Sequence, residues 1–196
     1  MKVKMVLVAA VVGGILIGSL FSGAPVWAAK KEATKEQNQA EVRKTVNDTL
    51  NRLYKLQPTS KGVIEKAAGY AVFSNFGMKV FFAGGGSGKG IAVQNATKKE
   101  TFMKMLEAQA GLGMGVKKFR LVWVFQTEEA LSSFVNSGWE LGSQATVGAQ
   151  YDDKGGGVAG AIAISKGVWL YQITDDGLAV ELTAKGTKYY KDDDLN

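Results

Sequence analysis

Phe82-Ala83-Gly84-Gly85-Gly86-Ser87-Gly88-Lys89-Gly90 admits two readings, and they lead to different folds. As a nucleotide loop it opens a helix in an α/β fold. As a glycine turn it joins two strands of an antiparallel sheet. The nucleotide loop needs G-x-x-x-x-G-K-[ST], with a helix beginning at the lysine. Aligned on Gly88-Lys89, the chain has Ala83 where the first glycine belongs and Gly90 where the magnesium-binding hydroxyl belongs. Ile91-Ala92-Val93-Gln94 follows as a strand pattern, so no helix N-terminus points at a phosphate. The stretch therefore reads as a glycine hairpin loop. Consecutive glycines can still turn several backbone N–H groups inward as an anion nest, and Lys89 adds a point charge. Gly86, Gly88 and Lys89 are thus candidates for contact with a phosphorylated headgroup.

Working outward, Tyr70-Ala71-Val72-Phe73 and Met78-Lys79-Val80-Phe81-Phe82 read as strands before the loop, and Ile91-Ala92-Val93 as a strand after it. Phe102 to Gln109 fits a helix or a strand equally well. Gly111-Leu112-Gly113-Met114-Gly115-Val116 alternates glycine with apolar residues. So glycine-laced a strand needs a close neighbour, either packed structure or a ligand. Leu121 to Phe125 is apolar at every position, as a strand buried on both faces is. Thr127 caps a helix whose first turn carries Glu128 and Glu129, where the helix dipole favours negative charge. Leu131, Phe134 and Val135 form its apolar face, and Gly138 stops it. Beyond it, Leu141–Gln150, Val158–Ser165, Val168–Ile173 and Leu178–Thr183 read as a meander, with turns at Asp152–Gly155 and Asp175–Gly177. Residues 188–194 read as a short helix or a frayed tail.

Upstream, residues 34–56 form an amphipathic helix capped by Thr34, with Val42, Val46, Leu50 and Leu53 at helical spacing. Gln57-Pro58-Thr59-Ser60 breaks it, and Lys61 to Ala68 reads as a second short helix ending at Gly69. The expected fold class is α+β, mainly antiparallel β. It is a glycine-rich sandwich or partly closed barrel over 70–183, with the N-terminal helix packed on it.

The chain has 196 residues with 46% hydrophobic, 25 glycines and 2 prolines, enough for one domain with a core of its own. Lys2 and Lys4 precede an uncharged apolar run from Met5 to Phe21, and Val26 and Ala28 fit a small-residue cleavage pattern. Residues 1–28 therefore read as a signal peptide and 29–196 as a single domain. That makes the protein exported, to the periplasm or cell envelope and peripheral to the membrane. The alternative is an uncleaved anchor, for which the apolar run is short and weakened by Gly13, Gly14 and Gly18. With no histidine and no cysteine, the usual metal ligands and nucleophile–base pairs are missing. Asp152/Asp153 and Asp175/Asp176 sit in turn signatures, where aspartate caps turns. The expectation is a non-catalytic protein with no metal or cofactor. Removing Lys2 and Lys4 from the 24 basic residues leaves 22 against 18 acidic, a net +4, which suits an anionic surface.

Gly69-Tyr70-Ala71-Val72-Phe73 followed by the 84–90 glycine run resembles the start of the SYLF-domain family. The likeness continues through Gly111–Gly115, through Gly142-Ser143-Gln144-Ala145-Thr146-Val147-Gly148-Ala149, and through Ser165-Lys166-Gly167-Val168-Trp169-Leu170-Tyr171 and Leu178–Leu182. It covers roughly residues 35 to 196. The family is described as lipid-binding, and as actin-binding in its fungal members. The resemblance implies a module that binds anionic phospholipids or a membrane surface; the loop's mismatch to the nucleotide motif argues against a nucleotide, and no nucleic acid partner is expected. The family pattern is mostly glycine and core, so headgroup contacts come from the residues themselves. They are Lys79, Lys89 and the cluster Lys117-Lys118-Arg120, because lysine offers phosphate a point charge and arginine a fork. Phe81, Phe82, Met103 and Met105 are either apolar support for a lipid or core. The competing reading is a structural protein that self-assembles as a homo-oligomer without lipid.

Overall fold

A computed structural model describes residues 33–80, 83–110, 115–141, 158–179 and 186–196, with the backbone alone at 75–80, 83–84, 108–110, 115–118 and 141. The expected leader, Asp152/Asp153 and most of the two meander strands expected at 141–150 and 178–183 lie outside the described residues. Helix α1 (Lys35–Leu56) begins at a capping box: Gln37 N donates to Thr34 Oγ1 at 3.2 Å, and Thr34 N donates to Gln37 Oε1 at 2.9 Å. Its buried stripe is Val42, Val46, Thr49, Leu50 and Leu53, the spacing that the sequence pattern requires of one helix face. Helix α2 (Ser60–Lys66) is shorter than expected, because Gly69 already belongs to β1 (Gly69–Val80).

The next strands are β2 (Ala83–Gln94), β3 (Glu100–Ala110) and β4 (Gly115–Phe125). Helix α3 (Glu128–Ser137) follows, with Ala130 N donating to Thr127 Oγ1 at its start. The remaining elements are β5 (Trp139–Leu141), β6 (Ile162–Ser165), β7 (Val168–Thr174), β8 (Gly177–Ala179) and β9 (Thr187–Lys191). Among the described residues all nine strands join one sheet in the order β5-β9-β3-β2-β1-β4-β7-β6, with β8 also on β7. Every pairing is antiparallel. The sheet is strongly curled, a half-barrel rather than a sandwich.

The strand period divides the core in two. Val72, Ile91, Phe102, Val122, Val124 and Tyr171 pack under α1 and α2. Ala71, Phe73, Met103, Leu121, Trp123 and Phe125 pack on the other face, under α3. Trp123 lies 5.1 Å from Tyr189 and 5.4 Å from Phe134, ring centre to ring centre. Leu121–Phe125 is thus buried on both faces, as its unbroken apolar run requires. Arg43 fixes α1 laterally: its Nε donates to Glu100 Oε2 at 2.8 Å, and its guanidinium sits 5.0 Å from the Phe102 ring centre.

Two expectations are overturned. The glycine run is not a hairpin loop. Gly84 to Gly90 lie within β2, paired with β1 on one side and β3 on the other. At Gly88 and Gly90 glycine is needed because the neighbouring backbone comes close. A Cβ on Gly90 would stand 2.2 Å from the Val72 carbonyl oxygen and 2.5 Å from Phe73 Cδ1. The C-terminal segment is not a helix or a frayed tail either. Thr187–Lys191 forms β9 on the edge of β3, with Thr187 and Tyr189 fully buried. The ambiguous 102–109 segment resolves as strand, within β3.

Candidate functional site

The register of four strands aligns polar side chains from distant parts of the sequence. Ser74 on β1 is opposite Lys89 on β2 and Arg120 on β4. Lys89 is opposite Lys104 on β3, which is opposite Tyr190 on β9. Neighbouring strands are about 4.8 Å apart and directly paired residues share a face, so Tyr190, Lys104, Lys89, Ser74 and Arg120 make one row. The row lies on the α1 face, where Val72, Ile91 and Val122 two residues along are core. Here the stripe ends and polar residues begin. A groove of about 540 Å³ opens over the row, lined by all five residues and by Ser87, Gly88, Met105, Leu106 and Phe119. A smaller recess of about 260 Å³ shares Ser74 and Lys89 and is walled by Asn38, Glu41, Val42 and Thr45 of α1.

The three cations of the row are not equivalent. Lys104 Nζ lies 2.7 Å from Asp194 Oδ2 and 2.9 Å from Asp192 Oδ1. The hydrogen bonds that Lys104 donates to these two carboxylates hold its ammonium charged well above the usual lysine range, and the same contact lowers the Asp194 carboxyl. Asp192 is 1% exposed and part of a clasp. Its backbone N donates to Phe102 O at 2.9 Å, Asn196 Nδ2 donates to Phe102 O at 2.8 Å, and Gln39 Nε2 donates to Leu195 O at 2.8 Å. Lys104 is therefore neutralised by the chain's own tail. Among the described residues, the side chains of Lys89 and Arg120 have no ion-pair partner. Lys89 is exposed and Arg120 half-buried.

Of the residues singled out from sequence, the groove brings together Gly88, Lys89 and Arg120. Gly86 lies two residues along β2, paired with Gly77 and Glu107. No nest forms at Gly86 and Gly88, because both are in extended, paired strand. A Cβ at Gly88 would stand 2.5 Å from the Ser74 carbonyl oxygen and 2.7 Å from Met105 Cγ, so that glycine serves close packing. Lys79, Lys117 and Lys118 are placed by register, opposite Gly84, Gly77 and Phe76 respectively. Met103 and Met105 are core, fully buried; Phe81 and Phe82 lie outside the described residues. Ser74, Lys104 and Tyr190 were not singled out from sequence, since only the register reveals them. Asn95 Nδ2 donates to Ile64 O at 2.7 Å and to Ala67 O at 2.9 Å, tying α2 to the turn after β2.

Two comparisons bear on this arrangement. The family model Ysc84, described as Las17-binding protein actin regulator, matches residues 106–196. The chain is 35% identical over 179 residues to Beta cell expansion factor A from Aeromonas veronii, covering 84% of this chain and 66% of that protein. The chain belongs to the SYLF-domain family. This SYLF-domain chain spans about two thirds of the length of that curated relative. The matched segment includes Arg120, strands β4 to β9 and the clasp residues Asp192, Asp194, Leu195 and Asn196, while Gln39, Ser74, Lys89, Phe102 and Lys104 precede it. In this SYLF domain no described helix is long and apolar enough to cross a membrane.

Proposed function

We propose that the protein is an exported, non-catalytic module that binds anionic phospholipid headgroups at the surface of the cell envelope. The observation that carries this reading is the pair of uncommitted cations, Lys89 and Arg120, on either side of Ser74 in one groove. The net positive charge favours approach to an anionic surface. Leu106, 50% exposed beside the cations, gives the groove an apolar rim. That pairing of charge with an exposed aliphatic residue suits an amphiphile better than a small soluble anion.

Each cation near an anionic membrane surface contributes about 1 kcal/mol. Neutralising both Lys89 and Arg120 to glutamine therefore costs about 2 kcal/mol, or about 30-fold in affinity. The test is flotation with neutral and anionic liposomes at low and high salt. Binding restricted to anionic liposomes, weakened by salt and lost in the double variant, supports the reading. No flotation under any condition sinks it and leaves the self-assembling structural protein, which size-exclusion with light scattering would then show as a lipid-free oligomer.

A further inference from the structure

The row also specifies what kind of headgroup fits. Three donors stand in line on three adjacent strands: the Lys89 ammonium, the Ser74 hydroxyl and the Arg120 guanidinium. Lys89 and Arg120 flank Ser74 at one strand spacing each, so their backbones are about 10 Å apart. Side chains as long as lysine and arginine at those positions can reach one anionic group over the serine from both sides. Among the described residues, Glu41 lines the small recess together with Lys89, and Asp194, already paired with Lys104, feels the Lys89 charge. Lys104 is ion-paired to Asp192 and Asp194, so among the described residues the cations of the row without an ion pair of their own are Lys89 and Arg120.

A phosphomonoester carries about −1.5 to −2 at pH 7 and offers three terminal acceptor oxygens. It matches two cations and a hydroxyl in both charge and number of contacts. A phosphodiester has a single charge and two such oxygens, and its second ester arm must pass between Lys89 and Arg120. We propose that Lys89, Ser74 and Arg120 form a subsite for one phosphomonoester group, making the module selective for monoester over diester phospholipids. This rests on the lipid-binding reading above. Leu106 marks the side of the groove on which the apolar part of the ligand lies.

The test compares phosphatidylcholine vesicles doped with phosphatidic acid against vesicles doped with phosphatidylglycerol, matched in surface potential. A third arm titrates soluble glycerol 3-phosphate by calorimetry. A charge-assisted hydrogen bond lost to the diester predicts a preference of about tenfold for the monoester vesicles. Ser74→Ala and Lys89→Gln, each checked for an unchanged thermal melt, bring that preference to parity. Lys89 is exposed, so its variant keeps the test valid if the serine variant fails to fold. Soluble glycerol 3-phosphate binding that is lost in the same variants supports the shared phosphoryl chemistry. Monoester-selective vesicle binding without it supports the lipid as the source. Equal binding to both vesicle types overturns the subsite and leaves the lipid-binding reading standing. Binding to neither overturns both.

Discussion

Adding one methyl group to Gly90 and to Gly62 is predicted to have opposite effects. At Gly90 the new Cβ meets the Val72 carbonyl oxygen at 2.2 Å and the Phe73 ring at 2.5 Å. The first contact is with backbone held in the ladder between β1 and β2, which cannot move alone. Overpacking of this kind costs about 3 kcal/mol or more, offset by about 0.5–1 kcal/mol because alanine is less costly than glycine to order. The net loss is about 2 kcal/mol. For a domain of this size about 2–4 °C in Tm corresponds to each kcal/mol, so Gly90→Ala should melt about 4–8 °C lower. Gly62 lies inside α2 with nothing within 4 Å of its Cβ position. Gly62→Ala should gain about 0.5–1 kcal/mol and melt about 1–4 °C higher. Thermal denaturation followed by far-UV circular dichroism reads both. A Gly90→Ala protein as stable as wild type would refute the close-approach account of the glycine run and reopen its reading as a ligand loop.

Leu53→Ala should cost about 3 kcal/mol in urea titration, because Leu53 is fully buried where α1 meets the sheet and little can collapse around it. Lys104→Met leaves the buried Asp192 carboxylate without its cation and should cost about 3 kcal/mol, most of it recovered by adding Asp192→Asn. The clasp is also pH-dependent. Asp194 is lowered from 3.8, so its contribution is complete above that pH and is lost as pH falls through the lowered value. Lys104 is raised from 10.5, so its contribution is complete below that pH and is lost as pH rises through the raised value. Hydrogen exchange at the Phe102 amide, which donates to Asn196 Oδ1 at 2.9 Å, should therefore be slowest between these limits after correction for intrinsic rates, and faster at pH 3.

The parts of the fold legible in the sequence are those whose neighbours are local or whose pattern has one period. Helix α1 announces itself by Val42, Val46, Leu50 and Leu53 and by its cap at Thr34. Helix α3 does so by Thr127 and its acidic first turn. Strand Leu121–Phe125 is legible because an unbroken apolar run of that length has few other uses. What was missed depends on distant partners. Gly84 to Gly90 looks like a turn by local preference alone, and its strand conformation is dictated by its partners Phe73–Lys79 on β1 and Met103–Gln109 on β3. Strand β3 has Phe102 packed on one face and Met103 and Met105 on the other, so both periods fit. Strand β9 is shaped by pairing with β3 residues eighty or more positions earlier. The candidate site divides in the same way. Lys89 is visible as the cation of the glycine run and Arg120 as part of the cluster Lys117-Lys118-Arg120. Ser74 emerges only once Val80 is paired with Ala83, which sets Ser74 opposite Lys89. Lys104 was hidden inside the segment whose period was ambiguous.

The long reach from β3 to β9 also sets an order of events during synthesis. Until Thr187–Lys191 is in place, the outer flank of β3 has no native strand to bond. A half-made chain thus carries an unsatisfied, adhesive border, the kind that recruits other chains. Closure over so long a span is slow. Nascent chains stopped before residue 187 should stay protease-sensitive or clump, and protection should arrive abruptly when the last strand zips on.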